Sequence, residues 1–141
     1  MSTPLLEVDG LTVAYGDADP VVRDISFAVE AGKMTAIVGE SGSGKTTSAM
    51  AALDLLGAGG TVLGGSIRFK GRELNNLASA EWRKLRGRKI GLVPQDPNNS
   101  LNPLKTIGAS VEDGLEIHGM GDAAKRRRQA IALLERVGID D

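Results

Sequence analysis

The sequence predicts an α/β fold: a parallel pair of core strands, an antiparallel layer ahead of it and a partial helical subdomain after it. Three features carry this prediction. Apolar and polar residues alternate over Leu6–Tyr15 and Val22–Val29, the period of half-exposed strands. Met34–Val38 breaks that alternation with a nearly continuous apolar run, as a strand covered on both faces does, and leads straight into a glycine-rich loop and a run of helix formers. Beyond Pro103 the apolar spacing becomes helical.

Taken in order, the first two strands flank Gly16-Asp-Ala-Asp-Pro20, which has turn chemistry, and should form an antiparallel pair. After the glycine loop a helix is expected from Thr46 to Leu56, with Ala49, Met50, Leu53 and Leu56 at helical spacing and Gly57 as its stop. Gly57–Gly60 then reads as a flexible link, Ser66–Phe69 as a short alternating strand and Lys70-Gly71 as a turn. Ser79 is placed to cap a short basic helix reaching Arg86, and Ile90–Val93 reads as a second buried strand, ended by Pro94. Gln95–Pro103, with its prolines and asparagines, must be a loop. Ile107, Val111 and Leu115 make a helical stripe, Gly119-Met-Gly121 breaks it, and Asp122 caps a last helix with Ile131, Leu134 and Val137 on one face. The domain boundary falls at this loop: residues 1–94 form a core with the glycine loop and antiparallel strands, and residues 95–141 begin a helical subdomain.

Composition removes several chemistries. The 141 residues hold 17 Lys plus Arg and 18 Asp plus Glu, a formal charge of -1, so charge balance favours neither nucleic acid nor acidic disorder. Without cysteine there is no disulfide, iron–sulfur ligation or thiol nucleophile, and a single histidine, His118, rules out a multi-histidine zinc site. With 3% aromatic residues the core must be aliphatic, and 19 glycines point to functional turns. The N-terminus Met1-Ser-Thr-Pro-Leu-Leu-Glu7 lacks a basic start followed by an apolar run, so a cytosolic product is expected. The most apolar stretch, Ala49–Gly65, is broken by Asp54 and glycines, well short of the roughly 20 apolar residues of a membrane span.

The chemistry concentrates in Gly39-Glu-Ser-Gly-Ser-Gly-Lys-Thr46, which fits the phosphate-loop pattern of Gly, four residues, Gly, Lys and Ser or Thr. It follows a buried-type strand and opens a helix. In that setting successive backbone N–H groups curl round a phosphate, and the helix N-terminus adds partial positive charge. Gly42 and Gly44 permit backbone angles and an approach that a side chain would block. Lys45 can bridge β- and γ-phosphates as a point charge, and the Thr46 hydroxyl can complete a magnesium shell. The plain alternative is a glycine-rich strand-to-helix turn.

On Leu11-Thr-Val-Ala-Tyr15, Gly39–Thr46, Gly65–Phe69, Leu85–Pro97 and Ser100-Leu-Asn-Pro103, the chain resembles the N-terminal part of an ATP-binding subunit of an ABC transporter, most closely the oligopeptide and dipeptide importers. The last two strings are the specific ones. Pro94 stands where many such subunits carry Phe before the glutamine. The resemblance implies a phosphate-loop ATPase fold of the ABC type, with ATP and Mg2+ as ligands. It implies that Tyr15 stacks on adenine and that Gly39, Ser41, Gly42 and Ser43 bind the phosphates together with Gly44, Lys45, Thr46 and Thr47. Lys45 and Gln95 would be catalytic, and Thr46 and Gln95 would reach the metal. On the residues alone, the other reading of Tyr15 is a half-buried strand tyrosine, and that of Gln95 is a plain polar loop residue.

The resemblance further implies a second ATPase subunit and membrane permease subunits as partners, a peripheral place on the inner face of the cell membrane, and no direct nucleic-acid contact. The basic runs Arg83–Lys89 and Lys125–Arg128 read as solvated helix faces, with nucleic acid or lipid as the other reading. His118 receives no catalytic role, and Glu40 should point away from phosphate. No Leu-Ser-Gly-Gly string and no further apolar strand ending in Asp-Glu occurs, so the string reads as the N-terminal segment of a longer subunit, expected to self-associate and not to turn ATP over. A soluble ABC-type ATPase of DNA repair or translation and a small-molecule kinase are the alternatives.

Overall fold

The computed structural model describes residues 3–96 and 100–139, so Pro97, Asn98 and Asn99 of the expected loop lie outside the described residues. The chain forms two compact units, Met1–Leu77 and Ala78–Asp141. Compactness thus divides it earlier than the boundary expected at 94/95.

In the first unit, strands β1 (Leu6–Tyr15), β2 (Val22–Val29), β3 (Gly60–Phe69) and β4 (Arg72–Glu73) form one sheet in the order β2-β1-β3-β4, and helix α1 (Lys45–Ala52) completes the unit. All three ladders are antiparallel. β1 supplies more of the buried core than any other element, with Val8, Leu11, Val13 and Ala14. Val8 is buried, but the next buried positions are Leu11 and Val13, so the inward phase slips by one residue. Both ladders of β1 show the register shift that causes the slip. Gly10 (φ 61°) supplies the extra residue of the bulge, and Gly65 (φ 94°) lies so close that a Cβ there would sit 2.6 Å from Asp9 O and Gly10 O. Side chains satisfy the displaced backbone: Gly10 N–H donates to Ser26 Oγ (2.9 Å) and Asp24 N–H to Thr12 Oγ1 (3.1 Å).

β3 is longer than the expected Ser66–Phe69. Its first residues pair Thr61 with Ala14 and Gly60 with Tyr15, so the flexible link expected at Gly57–Gly60 ends by starting a strand. Cross-strand pairing overrides the low strand propensity of Gly60, Gly64 and Gly65. Lys70 (φ 53°) and Gly71 (φ 78°) make the two-residue hairpin turn. α1 is shorter than expected. Asp54 (φ 52°) takes the left-handed position, with Asp54 N–H bonded to Ala51 O and Leu55 N–H to Met50 O, so this Schellman closure, not Gly57, ends the helix.

The parallel core pair is corrected by the structure. Met34–Val38 is not a strand; Met34 is 96% and Val38 88% exposed, and its hydrogen bond to the sheet is Thr35 Oγ1 donating to Ala28 O at 3.1 Å. Ile90–Val93 likewise forms only a single bridge, Ile90 with Arg86, and Val93 is 93% exposed. A continuous apolar run encodes burial on two faces, but a parallel ladder also needs a neighbour strand brought in from far along the chain. Among the described residues no such neighbour reaches either run.

The second unit holds α2 (Ser79–Leu85), α3 (Ile107–Ile117) and α4 (Ala123–Arg136). Ser79 is not the cap of α2: Ala78 takes that place, with no side-chain bond. The side chain of Thr106 caps α3 by accepting from Ala109 N–H, and Asp122 caps α4 by accepting from Lys125 N–H at 2.8 Å. Gly119 and Gly138 close these two helices at positive φ, as expected. Arg127 pairs with Glu112 across the two helices at 3.0 Å. Trp82 and Ala130 are the buried residues among the described residues of this unit, whereas Ile131 of the expected apolar face is 46% exposed and Val137 70%.

Candidate functional site

The glycine-rich loop lies entirely in the first unit and ends as the first turn of α1. Gly44 sits at the helix N-cap with φ 89°, a left-handed conformation that a side chain would strain. Space also excludes one, because a Cβ on Gly44 would lie 2.9 Å from Val22 Cγ2 and 3.1 Å from Val21 O. At Gly42, with φ 80°, a Cβ would meet nothing within 4 Å, so glycine there serves backbone conformation. At Gly39 the constraint is milder: a Cβ would lie 2.6 Å from Ser43 Oγ, so the Ser43 hydroxyl would have to turn away.

Lys45 closes the loop on itself. Its ammonium donates to Gly39 O at 2.8 Å and to Glu40 O at 2.6 Å, with Ser43 Oγ at a weaker 3.4 Å. Two strong bonds hold the charge at the loop's centre. The third donor is only weakly used and is exchangeable for a phosphate oxygen. Glu40 takes part through its carbonyl. The first-turn N–H groups of Lys45, Thr46 and Thr47 have no upstream helical carbonyl and face outward from the N-terminus, where the helix dipole favours an anion. Thr46 is exposed and its hydroxyl has no partner among the described residues, a hard oxygen donor suited to Mg2+.

Tyr15, at the end of β1, shares a cleft of about 220 Å³ with Gly42, Ser43, Gly44, Lys45, Thr46 and Thr47, and Val21 forms part of its wall. The sheet places the ring there, since Tyr15 pairs with Gly60, whose missing side chain leaves room: a Cβ would lie 2.9 Å from Tyr15 Cε1. The structure therefore brings Tyr15 together with the phosphate loop. Ser41 is exposed on the loop. Gln95 belongs to the second unit, as an exposed residue in a bend. Sequence reasoning missed Val21 and Ser48; nothing in the Gly16–Val21 turn marks Val21, whereas a serine four residues after the N-cap glycine was a readable signal for a bond back to its carbonyl.

The chain belongs to the ABC transporter family, whose model matches residues 22–141. It is 39% identical over 140 residues to the dipeptide transport ATP-binding protein DppD of Escherichia coli (strain K12), which covers 97% of this chain and 43% of that protein. To the oligopeptide transport ATP-binding protein OppD of Mycobacterium tuberculosis it is 46% identical over 142 residues, 97% of this chain and 23% of the other. The chain spans about 43% of the length of the first curated relatives it matches. Among solved structures, a dimeric ATP-binding cassette in a post-hydrolysis state, bound to ADP and Pi, superposes with a TM-score of 0.80 at 26% identity, covering 96% of this chain and 58% of that one. The cbiO1 subunit of Clostridium perfringens superposes with a TM-score of 0.74 at 25% identity, 97% and 51% covered. The fold is that of an ABC-type α/β cassette, and the match covers the loop, α1 and both units.

Proposed function

We propose that this chain binds Mg-ATP between Tyr15 and the phosphate loop, and that in the whole subunit ATP hydrolysis drives solute import, with peptide as the solute. The observation that carries the reading is one cleft lined by both Tyr15 and the Gly42–Thr47 loop with Lys45. Relatives named for dipeptide and oligopeptide transport favour the importer over a repair ATPase or a kinase. The Tyr15 ring would stack on the base, and the loop N–H groups and Lys45 would hold the phosphates. Thr46 would hold Mg2+ in the first unit, and the role proposed for Gln95, in the second, is that of a polar group for metal or water. When bound, Mg2+ neutralises phosphate charge.

A second ATPase subunit and membrane permease subunits are the proposed partners, giving a peripheral position at the membrane. Among the described residues no helix is long and apolar enough to cross a membrane. We also propose that the chain by itself self-associates, because Leu104 and Ile117 of the second unit are 93% and 68% exposed; light scattering should show mass rising with concentration. Tyr15→Phe should keep nucleotide affinity, and Tyr15→Ala should lower it by about tenfold, the worth of one stacking contact. Equal affinity of Tyr15→Ala and the parent chain would remove the base-stacking role.

A further inference from the structure

We infer that Ser48 is a positioning residue of the phosphate loop: its hydroxyl, bonded to Gly44 O, fixes the peptide whose N–H presents to phosphate. The inference rests on the nucleotide-binding reading for its functional consequence, but its geometry stands alone. Ser48 is the buried polar residue among the described residues, 3% exposed, on the second turn of a surface helix whose neighbours Ala51 and Ala52 are apolar. A buried hydroxyl needs a partner. Its Oγ donates to Gly44 O at 2.8 Å, and its own amide donates to the same oxygen at 2.8 Å.

One carbonyl thus receives two donors from one residue. The peptide joining Gly44 to Lys45 is planar and trans, with C=O and N–H pointing in opposite directions. Tying Gly44 O down along α1 therefore aims Lys45 N–H out of the helix N-terminus, toward the cleft shared with Tyr15. The second donor also polarises the peptide, which strengthens its N–H as a donor to an anion. A Cβ on Gly44 would also meet Val22 Cγ2 and Val21 O, so the residue that Ser48 ties down is hemmed in by the start of β2 as well. The first amide of α1 is thereby preset before any ligand arrives, which lowers the ordering cost of binding.

A purely structural role predicts the opposite of what this inference predicts. Alanine is the better helix former, and a serine bonding back to its own helix carbonyl slightly bends and weakens a helix, so Ser48→Ala should leave the melting temperature unchanged or raise it. Mg-ATP affinity, measured by calorimetry on the full 141-residue chain, should nevertheless fall about threefold to tenfold, the equivalent of one hydrogen bond. Ser48→Thr, which keeps the hydroxyl, should restore it. Without nucleotide, the Lys45 amide resonance should move in Ser48→Ala and return in Ser48→Thr. Wild-type affinity with an unmoved Lys45 amide in Ser48→Ala would overturn the inference, as would an affinity loss matched by a fall in melting temperature. If the parent chain binds no Mg-ATP, the nucleotide reading fails separately, and the amide resonance alone decides the role of Ser48.

Discussion

The two compact units of this chain share a solvent and a length scale but differ in how much of their apolar sequence they bury. In Met1–Leu77, Val8, Leu11 and Val13 of β1, Val22, Ile67 and Leu74, and Ala51, Ala52 and Leu53 at the end of α1 and just past it are all below 9% exposure. In Ala78–Asp141, Trp82 and Ala130 alone reach that state among the described residues, although α3 and α4 carry clear apolar stripes. The first unit closes because β1 is paired along both edges: a short turn brings β2 to one side, and the β1–β3 ladder, which closes the long segment between Tyr15 and Gly60, covers the other. The second leaves Ile107, Ile117 and Ile131 between 46% and 68% exposed, since two helices cover only one side of each other. An apolar period thus specifies the element and the face, while the covering layer is a separate requirement.

The sharpest test of this contrast is at the bulge. Gly65→Val should unfold the first unit, with a loss above about 3 kcal/mol, because a Cβ would meet Asp9 O and Gly10 O at 2.6 Å in a backbone conformation side chains rarely adopt. Chemical denaturation with circular dichroism reads that loss, and a stable Gly65→Val chain would break the account of the register slip. Next in size is a matched pair of truncations. Leu11→Ala, at 0% exposure, should cost about 2–5 kcal/mol. Ile131→Ala, at 46%, should cost below about 1 kcal/mol. Equal costs would mean that α4 is covered in solution. The smallest effect is at a cap: Asp122→Ala should lower stability by about 1 kcal/mol and fray the start of α4, seen as faster amide exchange at Lys125.

Local chemistry was legible in the sequence. The bounds of β1 and β2, the Lys70-Gly71 turn, the Asp122 cap, the stops at Gly119 and Gly138 and the phosphate loop all follow from residues within a few positions of one another. What was not legible depended on distant partners. Met34–Val38 and Ile90–Val93 have the composition of buried parallel strands, yet neither finds a ladder here. β3 extends back to Gly60 only because β1 lies beside it. Asp54 ended α1 ahead of Gly57 because an aspartate tolerates the left-handed region, a weaker signal than a glycine. For the candidate site, the loop itself was readable, and so was Tyr15 once the resemblance was drawn. Val21 was not, because its place in the cleft comes from β2 beginning beside Gly44.

The central claim is that Lys45 and the loop it closes hold the phosphates of Mg-ATP. Calorimetric titration of Mg-ATP into the 141-residue chain and into Lys45→Ala tests it directly. Lys45 is bonded to Gly39 O and Glu40 O and faces the cleft shared with Tyr15, so its removal takes away both the charge and the loop's closure. The account predicts saturable binding to the parent chain and a loss of about 100-fold or more in Lys45→Ala, the scale of a charge-assisted phosphate contact together with loop order. Equal affinities in the two chains, or no binding to the parent under conditions where it remains folded, would contradict it.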